Sequence, residues 1–407
     1  MSLVDIENLK AGGILNEDVR DINGRLVLSK GQTIEANHIR ILKIWGVSQV
    51  SIDQDFQTAD ENQDAGNMEK LRRTENTVRA VMQNVDISHP GINELFQVAV
   101  EYRYQNDLII DFEPKRPLPE SLKLDLSGGI KAQIEYSDIN LPETPEILIA
   151  FNKVLENPMA SVDDIADVVN KSPSLAALLL KIANSAFYGF PTRIDTISRA
   201  VSLIGTREIS SLVMGISTMR LFRQIPGDLV DMAAFLRHSL ACGLLARILA
   251  AQKNLYHTER LFVAGLLHDI GRLVWFVYFS EQAKLLLNLA QKTGRCLYDI
   301  EKVCLGISHE QIAEQLFAKW DFPVSLKNSV VFHHTPSQSF DQMEAGILHV
   351  ANAAINAIGM GHSGERIIPR FETESWDSLQ IATGAFRTAI NQAIQQLDIM
   401  EALFTEF

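Results

Sequence analysis

The chain has 407 residues, of which 46% are hydrophobic and 21% are charged, and these ordinary globular proportions exclude a largely disordered or collagen-like protein. Asp and Glu number 50 against 37 Lys and Arg, a formal net charge of −13, so we expect neither broad nucleic-acid binding nor attachment to an anionic membrane. The length is sufficient for two or three domains with a sizeable core.

The first fifty residues predict a small α+β module. Alternating segments at 14–19 and 25–29 flank the sequence Asp-Ile-Asn-Gly at 21–24, which is typical of a hairpin turn. A short helical pattern that includes Ile34 and Leu42 follows, and then a further strand at 47–52. The polar segment 53–67 predicts a linker.

The rest of the chain predicts helices. Two helical patterns at 68–84 and 91–106 precede an irregular segment, rich in Pro and Gly, at 111–136. Beyond Leu141 the apolar residues recur at helical spacing, without strand alternation. Local signals support this: Pro145 follows Thr144 as at a helix start, and Ser161 and Ser308 each begin a capping-box sequence.

The predicted fold class is mainly α, with a small N-terminal α+β module. The predicted domains are the α+β module at 1–53, a linker and helical connector at 54–140, an all-α domain at 141–360 and a C-terminal helical extension at 361–407.

Cysteine usage and hydropathy predict a cytoplasmic protein without a membrane partner. The three cysteines, Cys242, Cys296 and Cys304, are too few for a disulfide framework. The N-terminus lacks the basic and apolar segments of a signal peptide. The most apolar stretch, 261–279, includes charged residues that a membrane span would have to bury.

Histidines are unevenly placed, and several occur beside apolar helical segments. Each one alone has a structural interpretation, as a packed core residue, a chance His-Asp pair, a first-turn residue or a cation at a helix C-terminus. Together, imidazoles and a carboxylate from several helices could converge on one Fe, Mn, Zn or Ni ion. These candidates are, in chain order, His238, His268, Asp269, His309, His333 and His334.

The order of these residues resembles the HD superfamily of metal-dependent phosphohydrolases. Five further motifs are similar to its HDOD branch, at 183–189, 197–205, 237–241, 265–271 and 318–323. This resemblance covers about residues 141–354 and implies an all-α signalling domain, usually bacterial and cytoplasmic, that occurs with sensory and two-component modules. The first fifty residues are similar to small domains found ahead of HD-GYP regulators.

The resemblance maps the family's metal ligands onto the six candidates, but it also shows departures. The last ligand of the superfamily is an aspartate, and Asn352 occupies its position, which leaves the site one negative charge short. Ala234 stands where HD-GYP enzymes have a glutamate, and Arg272 replaces a lysine. No Gly-Tyr-Pro sequence follows His334, so hydrolysis of cyclic-di-GMP is not expected.

Three functions remain open. The favoured one is a regulatory module that contacts signalling proteins and holds a divalent metal at a degenerate catalytic site. The alternative is an active phosphohydrolase acting on a nucleotide or a phosphorylated small molecule, with His268, Asp269 and Arg272 as its catalytic residues. The third is an interaction protein without a metal, which the retained histidines disfavour. Asn184, Tyr188 and Arg199 are interpreted as structural residues rather than as a ligand pocket.

Overall fold

The structure is a computed structural model. It describes residues 2–6, 9, 11–20, 26–35, 38–39, 42, 47, 49–52, 61–112, 143–157, 159–222, 227 and 229–405. The contacts divide the chain into two compact units, Met1–Lys70 and Leu71–Phe407.

The first unit is a small α+β structure, as expected. Its strands are β1 (Ser2–Asp5), β2 (Val19–Arg20), β3 (Leu26–Leu28) and β4 (Gln49–Ile52). β1 pairs antiparallel with β4, and β2 pairs antiparallel with β3. Both pairs contribute buried apolar residues to one small core, which also contains Ile34 and Leu42. The predicted turn at 21–24 lies outside the described residues.

The predicted linker at 53–67 is wrong in its second half. Helix α1 covers Glu61–Val81 and begins seven residues before the helix expected at Met68. Glu, Gln and Asp side chains are compatible with a first helical turn, where the helix dipole favours acidic groups. Gly66 and Asn67 in this part of α1 are exposed, which agrees with the polar sequence. Residues 53–60 lie outside the described part.

The second unit is helical throughout its described residues. It contains the C-terminal part of α1 and a short 3-10 turn, Pro336–Gln338, together with sixteen further helices. These are α2 (Pro90–Gln105), α3 (Glu146–Leu155), α4 (Val162–Asn170), α5 (Pro173–Ala183), α6 (Ile197–Ile204), α7 (Thr206–Leu221), α8 (Met232–Gln252), α9 (Thr258–Leu267), α10 (Ile270–Tyr278), α11 (Ser280–Thr293), α12 (Leu297–Leu305), α13 (His309–Lys319), α14 (Val324–Val331), α15 (Gln342–Ile358), α16 (Thr373–Leu379) and α17 (Thr383–Thr405).

Helix starts follow local sequence closely. Both expected capping boxes are present, at Ser161 and at Ser308. The helix expected to start with Pro145 as its first residue begins instead at Glu146, with Pro145 as the N-cap. This one-residue difference reflects the extended conformation of Pro145, whose ψ of 135° is not helical. The predicted irregular segment at 113–136 lies outside the described residues.

Helices α8, α9 and α15 form the centre of the second unit, and most of their side chains are buried. Two segments, Met232–Gln252 and Thr258–Tyr278, are long and apolar enough to cross a membrane by length and composition alone. Their most apolar windows are 67% and 89% buried inside the unit, as expected of core helices. Helix α17 packs along α8, at the end of the chain. The predicted domain boundaries at 53, 140 and 360 stay predictions.

Candidate metal centre

The structure brings all six mapped ligand residues together in the interior of the helical unit. Each of them lies on or beside a helix end, except the first, which lies within α8. All are at most 5% exposed. They are His238 in α8, His268 at the C-cap of α9, Asp269 at the N-cap of α10, His309 as the first residue of α13, and His333 and His334 just after α14.

Glycines allow α8 and α9 to approach closely enough for their histidines to meet. A Cβ atom on Gly265 would overlap the backbone of Gly243 on the neighbouring helix. The Nε2 atoms of His238 and His268 consequently lie 3.3 Å apart. His268 Nδ1 donates to the Gly265 carbonyl oxygen at 2.7 Å, and this bond leaves a lone pair on Nε2, facing His238.

Asp269 lies between two groups of imidazoles. Its Oδ2 atom is 3.1 Å from His268 Nε2 and 3.9 Å from His238 Nε2. Its Oδ1 atom is 3.1 Å from His309 Nε2 on the other side. One nitrogen each of His309, His333 and His334 lie within 4.8 Å of one another. One carboxylate therefore faces donor atoms from α8, α9 and α13.

Four of these imidazoles have a buried nitrogen without a hydrogen-bond partner among the described residues: His238 at Nδ1, and His309, His333 and His334 at Nε2. His333 Nδ1 donates to the Val330 carbonyl oxygen at 2.7 Å, so Nε2 is the free acceptor. His334 Nε2 is likewise buried and unpartnered. Such groups destabilise an interior unless something binds them. Nitrogen and carboxylate donors together suit a divalent transition metal, so these residues fit a bound ion.

A second layer of residues orients the ligand atoms. Glu301 Oε2 accepts from His309 Nδ1 at 2.6 Å, which directs Nε2 of that ring towards Asp269. Carboxylates commonly orient metal-binding histidines in this way. Arg272 donates to Glu301 at 3.0 Å, to Asp269 at 3.4 Å and to Glu365 at 3.3 Å. Its guanidinium is therefore engaged by three carboxylates.

Burial determines the charge states in the cluster. Desolvation, reinforced by the neighbouring His268, lowers the pKa of His238 to about 3. Desolvation also lowers the pKa values of His333 and His334 well below the ordinary range. For Asp269, burial alone would raise the pKa, but Arg272 and the nearby histidines hold it well below its usual value. The imidazoles of His238, His333 and His334 are thus neutral, beside the ionised carboxylate of Asp269.

His309 differs from the other imidazoles. Desolvation alone would lower its pKa, but the adjacent Glu301 carboxylate outweighs that effect and raises it. Desolvation, and then Asp269, raises the pKa of the buried Cys242 thiol well above its ordinary value. That thiol stays protonated unless a cation displaces its proton.

Asn352 lies at the edge of the cluster. Its Oδ1 atom accepts from Asn356 Nδ2 at 2.7 Å and lies 4.0 Å from Cys242 Sγ. Cys242, Glu301 and Glu365 also belong to this region, although they were not among the residues expected there from the sequence. Cys242 follows His238 by four residues, which places both side chains on one face of the helix. This spacing could have indicated from the sequence that Cys242 lies beside the candidate ligand His238. The two glutamates have no comparable spacing signal.

The structural interpretation of Asn184 agrees with its contacts. Its side-chain amide donates to the carbonyl oxygens of Leu180 and Ile194 and accepts from the Ile194 N–H. The amide therefore links the end of α5 to the following loop, although it also borders an open cavity of about 600 Å³. Tyr188 stacks on Phe190 nearby, with ring centroids 5.6 Å apart.

Comparison with known proteins identifies the helical segment that holds the ligands. Residues 141–336 match the HDOD domain family. This segment of the chain is an HDOD domain. It includes all six mapped ligands, whereas Asn352 follows it. The resemblance expected from the sequence motifs is confirmed.

A curated relative supports the match over half of the chain. The sequence is 24% identical over 216 residues to an uncharacterized protein of Treponema pallidum, strain Nichols. That alignment covers 53% of this chain and 41% of the relative, so the chain spans less than half of the relative's length.

Solved structures share the fold at low sequence identity. An HDOD domain protein of unknown function from Geobacter sulfurreducens gives a TM-score of 0.54 at 19% identity, covering 65% of this chain and 93% of that one. A candidate phosphohydrolase from Shewanella amazonensis gives 0.53 at 22% identity, covering 68% and 98%. A candidate signal transduction protein from Marinobacter aquaeolei gives 0.51 at 19% identity, covering 92% and 73%. These similarities confirm the predominantly helical fold.

Proposed function

We propose that this chain is a cytoplasmic bacterial signal-transduction protein whose HDOD domain holds a divalent metal and acts through contacts with signalling proteins rather than by catalysis. The observation that carries the proposal is the buried cluster of imidazole nitrogens around Asp269, among them the unpartnered Nε2 atoms of His333 and His334, next to an amide where the resemblance places a carboxylate. The metal would be Fe, Mn, Zn or Ni, and nucleic acid and membranes are not expected as partners.

The candidate ligands are the six mapped residues, which come from five different helices or helix ends. A cation among them would satisfy the orphaned nitrogens of His333 and His334 and balance the charge of Asp269. It would also hold together the helix ends that carry the ligands. By joining these helix ends, the ion would make the domain more rigid. Rigidity suits a regulatory domain that contacts other proteins through a surface of fixed conformation.

Three observations oppose catalysis. Asn352 contributes a neutral amide, which is a poorer ligand for a hard cation than a carboxylate. Arg272, a catalytic residue in the alternative function, is buried and donates to Glu301, Asp269 and Glu365. The ligand residues are also almost fully buried, so a nucleotide would find little of their surface to contact.

The alternative function is a metal-dependent phosphohydrolase on a nucleotide or a phosphorylated small molecule. A metal at such a site polarises a phosphoryl oxygen and activates water. The retention of His268 and Asp269 favours this alternative. Turnover by the wild-type protein in a panel of phosphatase and phosphodiesterase substrates would establish it, whereas absence of turnover from metal-loaded protein would support a regulatory role. Asn352→Asp is expected to raise metal occupancy and tests whether the missing carboxylate limits activity.

The metal itself is tested with His268→Ala. Wild-type protein expressed with supplementary metals should contain bound divalent metal by elemental analysis, and a chelator should lower its melting temperature. An ion that binds the folded state alone adds about 2.7 kcal/mol when its free concentration is 100 times its Kd, so the expected change is a few degrees. His268→Ala should lose both the metal and the chelator effect.

His257→Ala is the matched control, because His257 lies away from the cluster and pairs with Glu208. It should keep the metal content and the chelator response of the wild type. Metal-free wild-type protein that melts at the same temperature as His268→Ala would refute the proposed metal centre.

A further inference from the structure

Cys242 lies in the ligand cluster, although it corresponds to none of the mapped ligand positions. It is fully buried on α8, one helical turn after His238. Its Sγ atom is 3.6 Å from His238 Nε2. Ligand atoms of His238, Cys242 and His268 all lie within 4.8 Å of one another. The sulfur therefore faces the same space as the two imidazoles.

The separations match those around a tetrahedral zinc ion. With Zn–N bonds of about 2.05 Å and a Zn–S bond of about 2.3 Å, tetrahedral angles place two nitrogens about 3.3 Å apart and a nitrogen and a sulfur about 3.6 Å apart. The structure has 3.3 Å between the Nε2 atoms of His238 and His268, and 3.6 Å between His238 Nε2 and Cys242 Sγ. Asp269 Oδ2 is the candidate fourth donor, at 3.1 Å from His268 Nε2 and at a longer 3.9 Å from His238 Nε2.

An independent observation also points to a ligand here. His333 is fully buried, and its Nε2 atom has no hydrogen-bond partner among the described residues. One nitrogen of His333 lies within 4.8 Å of the donor atoms of His268 and Asp269. His333 thus shares the neighbour His268 with Cys242.

Charge supplies the reason for a sulfur ligand. Cys242 Sγ lies 4.0 Å from Asn352 Oδ1, at the position where the mapped ligand set lacks its carboxylate. A thiolate at this point restores the missing negative charge, and together with Asp269 it balances a divalent cation.

We infer that Cys242 is a metal ligand that, with His238, His268 and Asp269, forms a tetrahedral site selective for zinc. A thiolate is a soft ligand that favours Zn²⁺ over Mn²⁺, so the site differs in metal preference from an all-oxygen-and-nitrogen centre. On binding, the metal–sulfur bond forms and the thiol proton passes to solvent. This inference rests on the proposed metal centre and specifies the donors on the α8 and α9 side of Asp269, whereas His309, His333 and His334 form a separate group of candidate donors.

The test is the absorption spectrum of the full chain loaded with Co²⁺ in place of the native metal. A thiolate ligand produces a near-ultraviolet sulfur-to-cobalt charge-transfer band, which nitrogen and oxygen ligands do not. We expect this band in the wild type and in Cys304→Ser, a control that removes another buried thiol, and we expect it to be absent from Cys242→Ser. Zinc affinity should fall about tenfold or more in Cys242→Ser, while Mn²⁺ affinity changes little.

The outcomes separate this inference from the proposal on which it rests. Wild-type protein that binds neither zinc nor cobalt overturns both. The role of Cys242 is overturned if the metal-loaded wild type lacks the charge-transfer band, or if Cys242→Ser binds zinc with unchanged affinity. Neither of these outcomes contradicts the proposed histidine metal centre. If Cys242→Ser does not fold, the spectra of the wild type and of Cys304→Ser still decide the question.

Discussion

Gly271 shows how a single residue positions the candidate site. It follows Asp269 by two residues in α10, and a Cβ atom on it would overlap the carbonyl oxygen of His309. The backbone of α13 can therefore approach α10 closely enough to bring His309 Nε2 within 3.1 Å of Asp269. Gly271 has an ordinary helical conformation, so a glycine is not needed here for the backbone. Its effect comes from the absence of a side chain, which leaves space for the backbone of α13.

We predict that Gly271→Ala displaces His309 and weakens both stability and metal binding. Overpacking against a backbone atom in a close-packed interior should cost about 3 kcal/mol of unfolding free energy, measured by urea denaturation. Metal content per chain, measured by elemental analysis, should fall in parallel.

Gly346→Ala is the matched control, because it is also a helical glycine but its nearest contact for a new Cβ is an ordinary 3.5 Å. It should gain up to about 1 kcal/mol from helix propensity and keep its metal. Equal effects of the two substitutions would show that the close approach at Gly271 does not position the site.

At the scale of helices, the ligands are presented mainly by helix ends, and other helices hold those ends in place. His349 on α15 donates from Nδ1 to the His333 carbonyl oxygen at 2.8 Å and accepts at Nε2 from the Glu372 N–H at 3.0 Å. Arg103 on α2 donates to the carbonyl oxygens of Ala357 and Asn356, and so caps the C-terminus of α15. The positions of the ligands thus depend on contacts among helices distant in sequence.

His349 should make the folded state sensitive to acid. Burial lowers its pKa to about 4, against 6.5 as its ordinary value. The unfolded chain therefore binds a proton as the pH falls below about 6.5, whereas the folded chain does not until about 4. Its contribution to stability is complete above pH 6.5 and is lost as the pH falls towards 4, at about 1.4 kcal/mol per unit.

His349→Gln removes this titration but keeps a side-chain donor and an acceptor. Between pH 7 and pH 5, in the presence of a chelator, the wild type should lose roughly 2 kcal/mol more unfolding free energy than the variant. Urea denaturation at several pH values measures this difference, with His257→Gln as a more exposed control. Parallel pH profiles for the wild type and His349→Gln would contradict the assignment.

At the scale of the whole molecule, the mapped ligands, Cys242 and the orienting glutamates all belong to the unit Leu71–Phe407. The α+β unit has its own small core, formed by residues between Ile6 and Val50. Each unit thus buries its own apolar residues. The candidate metal centre therefore lies within the helical unit.

We predict that a chain beginning at Leu71 folds and binds metal without the first unit. Its metal content per chain and its melting temperature with and without a chelator should equal those of the full chain. Elemental analysis and thermal denaturation measure both quantities. Loss of metal from a chain that remains helical would show that the first unit contributes to the site.

Local sequence predicted the helices and the candidate ligands, because both depend on residues close together in the chain. Helical periodicity and the capping boxes at Ser161 and Ser308 are read within a few residues. The order of His238, His268 and His309 supported a resemblance to a family with a known ligand order. Polarity misled the prediction at Glu61, because an exposed helix and a linker can have the same composition.

Only the tertiary structure revealed the orienting glutamates and the proximity of the sulfur to Asn352. Arg272 and Glu365 are separated by 93 positions, and Cys242 and Asn352 by 110, so no local pattern connects them. Their proximity depends on how closely the helices pack, which the glycines at 243, 265 and 271 permit by omitting side chains at the contacts. Side-chain volume acts across the fold, and for that reason the sequence identified the candidate ligands while the packing established which donor atoms share one space.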